Sequence, residues 1–263
     1  MGSLAGEVAV VTRARAGIGA AIARELATSG VRVGVTHHDQ AVAEALAAQL
    51  GPEHLGFALD VRSTPSVDAA ADAVAGRLGE TTVLVNSAGI NKIGPAELFT
   101  DEDWTAVLDV NLTDLYRCCR AFGGRMLAAG RGCIGNVASI IGPQVGMPGR
   151  AYSASKAGIV GLTRVLGVEW AGRGVRVDAL LPGPVRRPMV ETAIAQGIVV
   201  ENEMVDRTPA GRWGTVEDTA RTVVLLCGPD VAFVTGQTLV VDGGYTAYGA
   251  AHAATRIPGV ANA

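Results

Sequence analysis

The stretch Glu7-Val8-Ala9-Val10-Val11-Thr12-Arg13-Ala14-Arg15-Ala16-Gly17-Ile18-Gly19 decides how the whole chain is read. Its first five residues predict a strand over Glu7–Val11 that enters a buried parallel sheet. The Ala-rich segment near 17–29 predicts the helix that follows. Gly17 and Gly19 let backbone approach a ligand, and the start of the helix offers N–H donors that no earlier turn can satisfy, a natural seat for phosphate. An ordinary strand–turn–helix with two incidental glycines is the plainer alternative at this point.

The same alternation continues outward. Val31–Thr36, Leu55–Leu59, Val83–Asn86, Cys133–Val137, Val175–Leu181 and Leu239–Val241 read as strands, and segments near 40–50, 65–78, 102–129, 151–171 and 215–227 as helices. Strands alternating with helices through right-handed crossovers predict an α/β fold. It is a doubly wound parallel sheet with helices on both faces, three layers in a single domain over residues 1–245. Residues 184–210 carry Pro184, Pro188 and Pro209 and predict a lid or insertion beside the site. Residues 246–263 are expected as a tail.

Composition narrows the classes. The chain has 263 residues, 49% hydrophobic but only 4% aromatic, which suits a sheet of Val, Ile and Leu under Ala-rich helices. A formal net charge of -3 with scattered arginines offers no basic field for nucleic acid. No apolar run approaches the roughly 20 residues that cross a bilayer, and the N-terminus lacks a signal-peptide layout. A cytoplasmic protein without nucleic-acid or membrane partner is expected. Cys118, Cys119, Cys133 and Cys227 form no C-x-x-C pair, so no metal site is expected.

Tyr152-Ser153-Ala154-Ser155-Lys156 puts a phenol and an ammonium at i and i+4 of a helix, on one face. A free tyrosine has a pKa of about 10 and supplies little phenolate at neutral pH. A neighbouring cation stabilises phenolate, and the pair can then protonate an alkoxide or deprotonate an alcohol. Lys92 and Lys156 are the only lysines among 22 basic residues, so one of them standing at i+4 carries weight. Asn136-Val137-Ala138-Ser139 ends a strand at the carboxyl edge of the sheet, where such folds keep their sites. Ser139 can donate to a substrate oxygen. Ser153 and Ser155 are rival serines on other faces of the helix. Asn111 interrupts an apolar helix, either to satisfy a carbonyl at a bend or to serve the site. Asn86-Ser87-Ala88-Gly89 ends the fourth strand at the same edge.

In order, these motifs resemble the short-chain dehydrogenase/reductase family over about residues 5–245. Thr12–Gly19 is similar to T-G-x-x-x-G-I-G, with Arg13 at the first glycine. Asn111, Ser139, Tyr152 and Lys156 match the Asn-Ser-Tyr-Lys tetrad. Asn86–Gly89 resembles N-N-A-G, with Ser87 for the second Asn. Asp60-Val61 resembles the pair that holds adenine, Pro182-Gly183-Pro184-Val185 the segment along the nicotinamide, and Gly236–Gly244 the terminal strand.

The resemblance implies a Rossmann-type domain and hydride transfer between a nicotinamide cofactor and a secondary alcohol or ketone. Tyr152 would be the acid or base, and Ser139 would polarise the oxygen. Lys156 would bind the nicotinamide ribose and depress the Tyr152 pKa, and Asn111 would hold a water of the proton relay. Thr12, Arg15, Gly17, Ile18, Gly19, His37, Asp60, Val61, Asn86, Ala88, Gly89, Pro182, Gly183 and Val185 would hold the cofactor beside Tyr152 and Lys156. Helices 102–129 and 151–171 would assemble a dimer or tetramer of like chains.

The second strand ends in Thr36-His37-His38, with His37 where an NAD-using member carries Asp, and Asp39 two residues late. With Arg15 able to meet a phosphate, the reading leans to NADP over NAD. Arg13 has two outcomes. At negative φ its guanidinium swings outward to help Arg15; at positive φ the turn is strained and the side chain crowds the ribose. The substrate is read as a sugar, polyol or small carbonyl compound, with Asn91, Lys92, Ile141, Gln144, Val145, Met147 and Val190 as pocket walls. A 3-oxoacyl thioester or polyketide-type ketoreductase is the alternative. A binding or scaffold protein with cofactor affinity weakened by Arg13 is the reading from another class.

Overall fold

Val8, Ala9, Val10 and Val11 are all buried, on both faces of their strand, so the strand belongs at the centre of a covered sheet. The computed structural model describes residues 4–143 and 150–248, with Arg150 and Met189 as backbone only. Strands β1 (Val8–Val11), β2 (Arg32–His37), β3 (Leu55–Ala58), β4 (Val83–Asn86), β5 (Gly132–Val137), β6 (Val175–Pro182) and β7 (Thr238–Val241) form one parallel sheet. Their order is β3-β2-β1-β4-β5-β6-β7.

Between them run α1 (Gly17–Thr28), α2 (Gln40–Ala48), α3 (Thr64–Arg77), α4 (Asp101–Leu108), α5 (Asp114–Ala129), α6 (Arg150–Ala171), α7 (Pro188–Ala195), α8 (Glu201–Arg207) and α9 (Val216–Cys227). One apolar core lies between the sheet and α3, α5 and α6, the other between the sheet and α1 and α9. The three-layer α/β/α expectation is met.

Boundaries move by a residue or two from the sequence reading, as fraying ends do. Two differences are larger. The segment expected as one helix over 102–129 is two helices joined by a π-helical turn, Asp109–Thr113, around Asn111. The segment 184–210, read as a lid or insertion with no elements assigned to it, contains α7 and α8. Pro188 at the start of α7, followed by apolar Val190, Ala193 and Ile194, is the helix signal that the prolines obscured. Of the expected tail, only 246–248 lie within the described residues.

Below the π turn, Arg117 Nη1 is shared by Asp109 Oδ1 at 3.0 Å and Asp114 Oδ1 at 2.5 Å. Asp114 is buried, and its second oxygen has no hydrogen-bond partner among the described residues. Burial, and then repulsion from Asp109, push its carboxyl from the ordinary 3.8 up to about 7, against the pull of Arg117. Between those values the folded chain keeps a proton that the unfolded chain has released. The group therefore favours folding at low pH, and that advantage is lost as pH rises through the window. Asp114→Asn is expected to flatten the pH dependence of stability between about pH 4 and pH 7, a difference on the order of 1–3 kcal/mol. Thermal unfolding of both proteins across that range measures it. An unchanged slope would mean that Asp114 is ionised in the fold.

Candidate active site

Strand β1 pairs with β2 on one side and β4 on the other, so the chain reverses its direction of progress there and a crevice opens at the carboxyl edge. A cleft of about 440 Å³ occupies it. Its floor is the start of α1. Asp39, Ser63, Thr100 and Thr215 cap α2, α3, α4 and α9 with their side chains, but Ala16 gives α1 no side-chain cap and its first turn holds no acid. The first amides of α1 are left for an anion. Gly17 is left-handed at φ 62, and a Cβ on Gly19 would come within 3.1 Å of the Arg13 carbonyl and Ser87 Oγ, so both glycines are required by geometry. The cleft lining carries Arg13, Arg15, Lys156 and Arg187 and no carboxylate. These features fit a dinucleotide pyrophosphate.

Arg13 has φ 53, the one non-glycine with positive φ among the described residues. Of the two sequence outcomes the strained one holds. The guanidinium does not swing outward: Nη1 donates to the Gly89 carbonyl at 3.0 Å.

Above the floor, α6 presents Tyr152 and Lys156 on one face, with Lys156 Nζ 5.6 Å from the Tyr152 ring centre. Lys156 is buried, and Nζ donates to the Val137 carbonyl at 2.8 Å. Burial alone would raise the Tyr152 pKa. The Lys156 ammonium and the Arg187 guanidinium, with a smaller contribution from the Ser139 hydroxyl, outweigh it and bring the phenol below its ordinary value. Burial, against the pull of Tyr152, lowers Lys156.

The Asn111 carboxamide serves no bend in its own helix. Its Oδ1 accepts from Ile90 N at 2.8 Å, and Nδ2 donates to the Ile90 carbonyl and to Ser155 Oγ, each at 3.0 Å. It thus ties the π turn to the exit of β4 and to α6. A Cβ on Gly89 would lie 3.5 Å from Asn111 Oδ1 and 3.6 Å from Lys156 Nζ, so the glycine leaves space between them.

The other residues expected on the cofactor divide into two groups. Arg15, Gly17, Ile18, Gly19, Gly89, Pro182, Gly183 and Val185 line the cleft. Thr12, Asn86 and Ala88 stand behind its wall. Thr12 Oγ1 accepts from the Ser87 and Ala88 amides at 2.9 and 3.3 Å, and Asn86 Nδ2 donates to Asn136 Oδ1 at 2.9 Å.

His37 ends β2 beside His38, with rings 4.1 Å apart. Burial, His38 and Arg15 together lower its pKa. Asp39 Oδ1 is taken by the α2 amides. Asp60, after β3, is paired with Arg62, which holds its carboxyl below the ordinary value, and Val61 packs on the core.

A second cavity, about 650 Å³, opens from Ser139 and Tyr152 toward α7 and α8. Asn91, Ile141 and Val190 line it as expected, but Lys92 does not, being paired with Asp103. Gln144, Val145 and Met147 lie outside the described residues. Sequence reasoning missed Arg187, Met204, Arg207, Trp213 and Tyr245. They follow no periodicity and come together only because α7 and α8 fold back over the site.

A family model described as Enoyl-(Acyl carrier protein) reductase matches residues 13–246. The D-threitol dehydrogenase of Mycolicibacterium smegmatis is 43% identical over 248 residues, covering 92% of this chain and 94% of that protein. A gluconate 5-dehydrogenase from Burkholderia cenocepacia, solved in complex with NADP and tartrate, is 32% identical with a TM-score of 0.89, covering 94% of this chain and 97% of that one. An actinorhodin polyketide ketoreductase solved with NADPH is 39% identical with a TM-score of 0.86, covering 92% and 98%.

The left-handed Arg13 generates a direct test. Arg13→Gly is expected to relieve backbone strain on the order of 1 kcal/mol and to tighten NADPH and NADH binding a few-fold by clearing the cleft. Calorimetric titration and thermal unfolding measure both effects. Weaker NADPH binding with NADH unchanged would make Arg13 a phosphate ligand instead.

Proposed function

From the premise that the chain belongs to the short-chain dehydrogenase/reductase family and is a nicotinamide-dependent oxidoreductase of alcohols and ketones, we propose that Tyr152 is its proton donor and acceptor. The carrying observation is the buried phenol held between Ser139, Lys156 and Arg187 where the cleft meets the second cavity.

The nicotinamide, when bound, supplies or accepts the hydride. The α1 amides with Gly17, Ile18 and Gly19 would hold the pyrophosphate, while Gly89, Pro182, Gly183 and Val185 would bound the nicotinamide end. In reduction the Tyr152 O–H donates its proton to the substrate oxygen, which Ser139 polarises by a hydrogen bond. In oxidation the phenolate takes the proton from the alcohol. Lys156 supports the phenolate and reaches the ribose. Asn111 positions Ile90, and its Oδ1 keeps a lone pair for a relay water in the space that Gly89 leaves.

NADP is the preferred cofactor in this reading, because Arg15, His37 and His38 gather at the end of β2 while Asp39 is spent on capping α2. The substrate is a secondary alcohol or ketone of sugar, polyol or small carbonyl type. The apolar walls Val190, Ile198, Val199 and Met204 favour an acyl or polyketide-type ketone as the second reading. The scaffold reading, which keeps the same fold, is set aside because the relatives matched over nine-tenths of the chain are dehydrogenases. Helices α7 and α8 are assigned as the lid. Exposed Trp104 on α4, Tyr116 on α5, and Val165 and Val168 on α6 support a homodimer or homotetramer through these helices. The cysteines, all free and buried, suit a reducing compartment, the cytoplasm.

Tyr152→Phe is expected to lower kcat by about 10²–10⁴-fold while leaving NADPH affinity within a few-fold. Steady-state kinetics beside a fluorescence titration checks both, and wild-type turnover in the variant would remove Tyr152 from the chemistry.

Oxidation requires phenolate, so its rate is expected to rise with pH through an apparent pKa below the free phenol's value of about 10. Reduction requires phenol and is expected to fall over the same range. A flat oxidation profile, with chemistry shown to limit the rate, would contradict the role.

A further inference from the structure

Arg187 is the residue of the site that the proposed chemistry leaves without a task. It stands on the loop between β6 and α7, half-buried, and lines both cavities. Its Cβ is 3.9 Å from where a Cβ on Gly17 would be, so the side chain begins beside the α1 N-terminus, and it shares the lining of both cavities with Ser139 and Tyr152, whose phenol its positive charge helps to lower in pKa. Its neighbour Arg186 is paired with Glu191 and Glu201. Among the described residues Arg187 itself has no ion-pair partner. Arg207, stacked on Tyr245 at 4.6 Å at another wall of the same cavity, has none either.

Among the described residues the lining of the second cavity thus contains two arginines and no Asp or Glu, in a chain whose net charge is -3. Half-buried Arg187 and exposed Arg207 keep part of their hydration, so both stand without a counter-charge and remain open to an anionic ligand. An arginine fork matches a carboxylate bidentately.

We propose that Arg187 determines specificity by binding a substrate carboxylate next to the reacting carbon, so that the substrate is a 2- or 3-hydroxycarboxylate or the matching keto acid. The short spacing follows from the placement of Arg187 beside Tyr152 and Ser139 in both cavity linings. The guanidinium and the phenol that serves the reacting oxygen face the same space, and a hydrogen bond to either is about 2.9 Å long. A carboxylate on the fork therefore lies within one or two carbons of the alcohol. The apolar walls of α7 and α8 take the remainder of the molecule, and Arg207 adds a second positive charge toward Tyr245. The inference rests on the dehydrogenase reading for its chemistry, but the anion site can be tested without turnover.

The experiment pairs substrates that differ only in charge, threonate with threitol and 3-hydroxybutyrate with its methyl ester, using wild type, Arg187→Met and Arg187→Lys with NADP+ and NAD+. In parallel, malonate is titrated into each cofactor-loaded protein and read by thermal shift. Wild type is expected to favour the anionic member of a pair at least tenfold in kcat/KM. Arg187→Met should lose at least tenfold of that preference, mainly through KM, and lose the malonate shift. Arg187→Lys should recover part of both.

A wild-type preference for the neutral members, or a preference unchanged in Arg187→Met, overturns the proposal. So does tenfold weaker NADP+ binding in Arg187→Met with the preference intact, which would make Arg187 a pyrophosphate ligand. If no pair turns over with either cofactor, none of these compounds is the substrate, and the malonate shift alone decides: its presence in wild type and loss in Arg187→Met support the anion site, and its absence from wild type removes it.

Discussion

The Lys156 ammonium is buried, and among the described residues no carboxylate lies against it. Desolvating a cation costs several kcal/mol unless other groups compensate, and the site is built around that compensation. The Val137 carbonyl at the end of β5 accepts one of its protons. Tyr152, one helical turn earlier, turns its ring toward the ammonium and shares the local charge through its phenol. Gly89 leaves open the space beside Nζ that a side chain would occupy, and Asn111 holds the adjoining Ile90 backbone in place. Sheet edge, helix register and π turn all serve one charge, which is why residues far apart in sequence meet there.

Much of this was legible in the sequence because it depends on local pattern. The strands are buried on both faces and read as apolar runs. The i, i+4 spacing of Tyr152 and Lys156 fixes a shared helix face before any tertiary contact exists. Arg13, too, announced its conflict, since a non-glycine at a turn of this kind either changes the turn or bears the strain. Other features could not be read, for physical reasons. Asn86 and Thr12 look like site residues by position, but strand geometry turns their side chains beneath the site, where they hydrogen-bond the exits of neighbouring strands. The π turn depends on a single carboxamide bonding across to another element. Arg187 and Tyr245 reach the site only after α7 and α8 fold over it.

The charge distribution separates surface from interior. The chain as a whole is slightly negative, yet among the described residues the linings of the cleft and the cavity beside it carry Arg13, Arg15, Lys156, Arg187 and Arg207 without an acid among them. Low-dielectric walls focus such a field into the crevice. Acidic residues near the entrance are engaged elsewhere: Asp39 caps α2, Asp60 holds Arg62, and Glu191 and Glu201 hold Arg186. The positive potential is therefore preserved by pairing off nearby carboxylates as much as by the cations themselves.

The pairing of β1 with β4 has a consequence in time. Val8 bonds Thr82 across 74 residues, and Ala9 sits in register with Val83. Contacts so distant along the chain form slowly, because the loop entropy is lost before the contact repays it. A nascent chain completes β1, β2 and β3 well before β4 is available. During that interval β1 is an apolar strand with an open edge, prone to pair with another chain. The crevice does not exist until this central ladder closes, so the ability to take up a dinucleotide arrives late and all at once. A partly folded molecule is then both inert and vulnerable to aggregation, and a cofactor that binds only the closed sheet would draw the population out of that state.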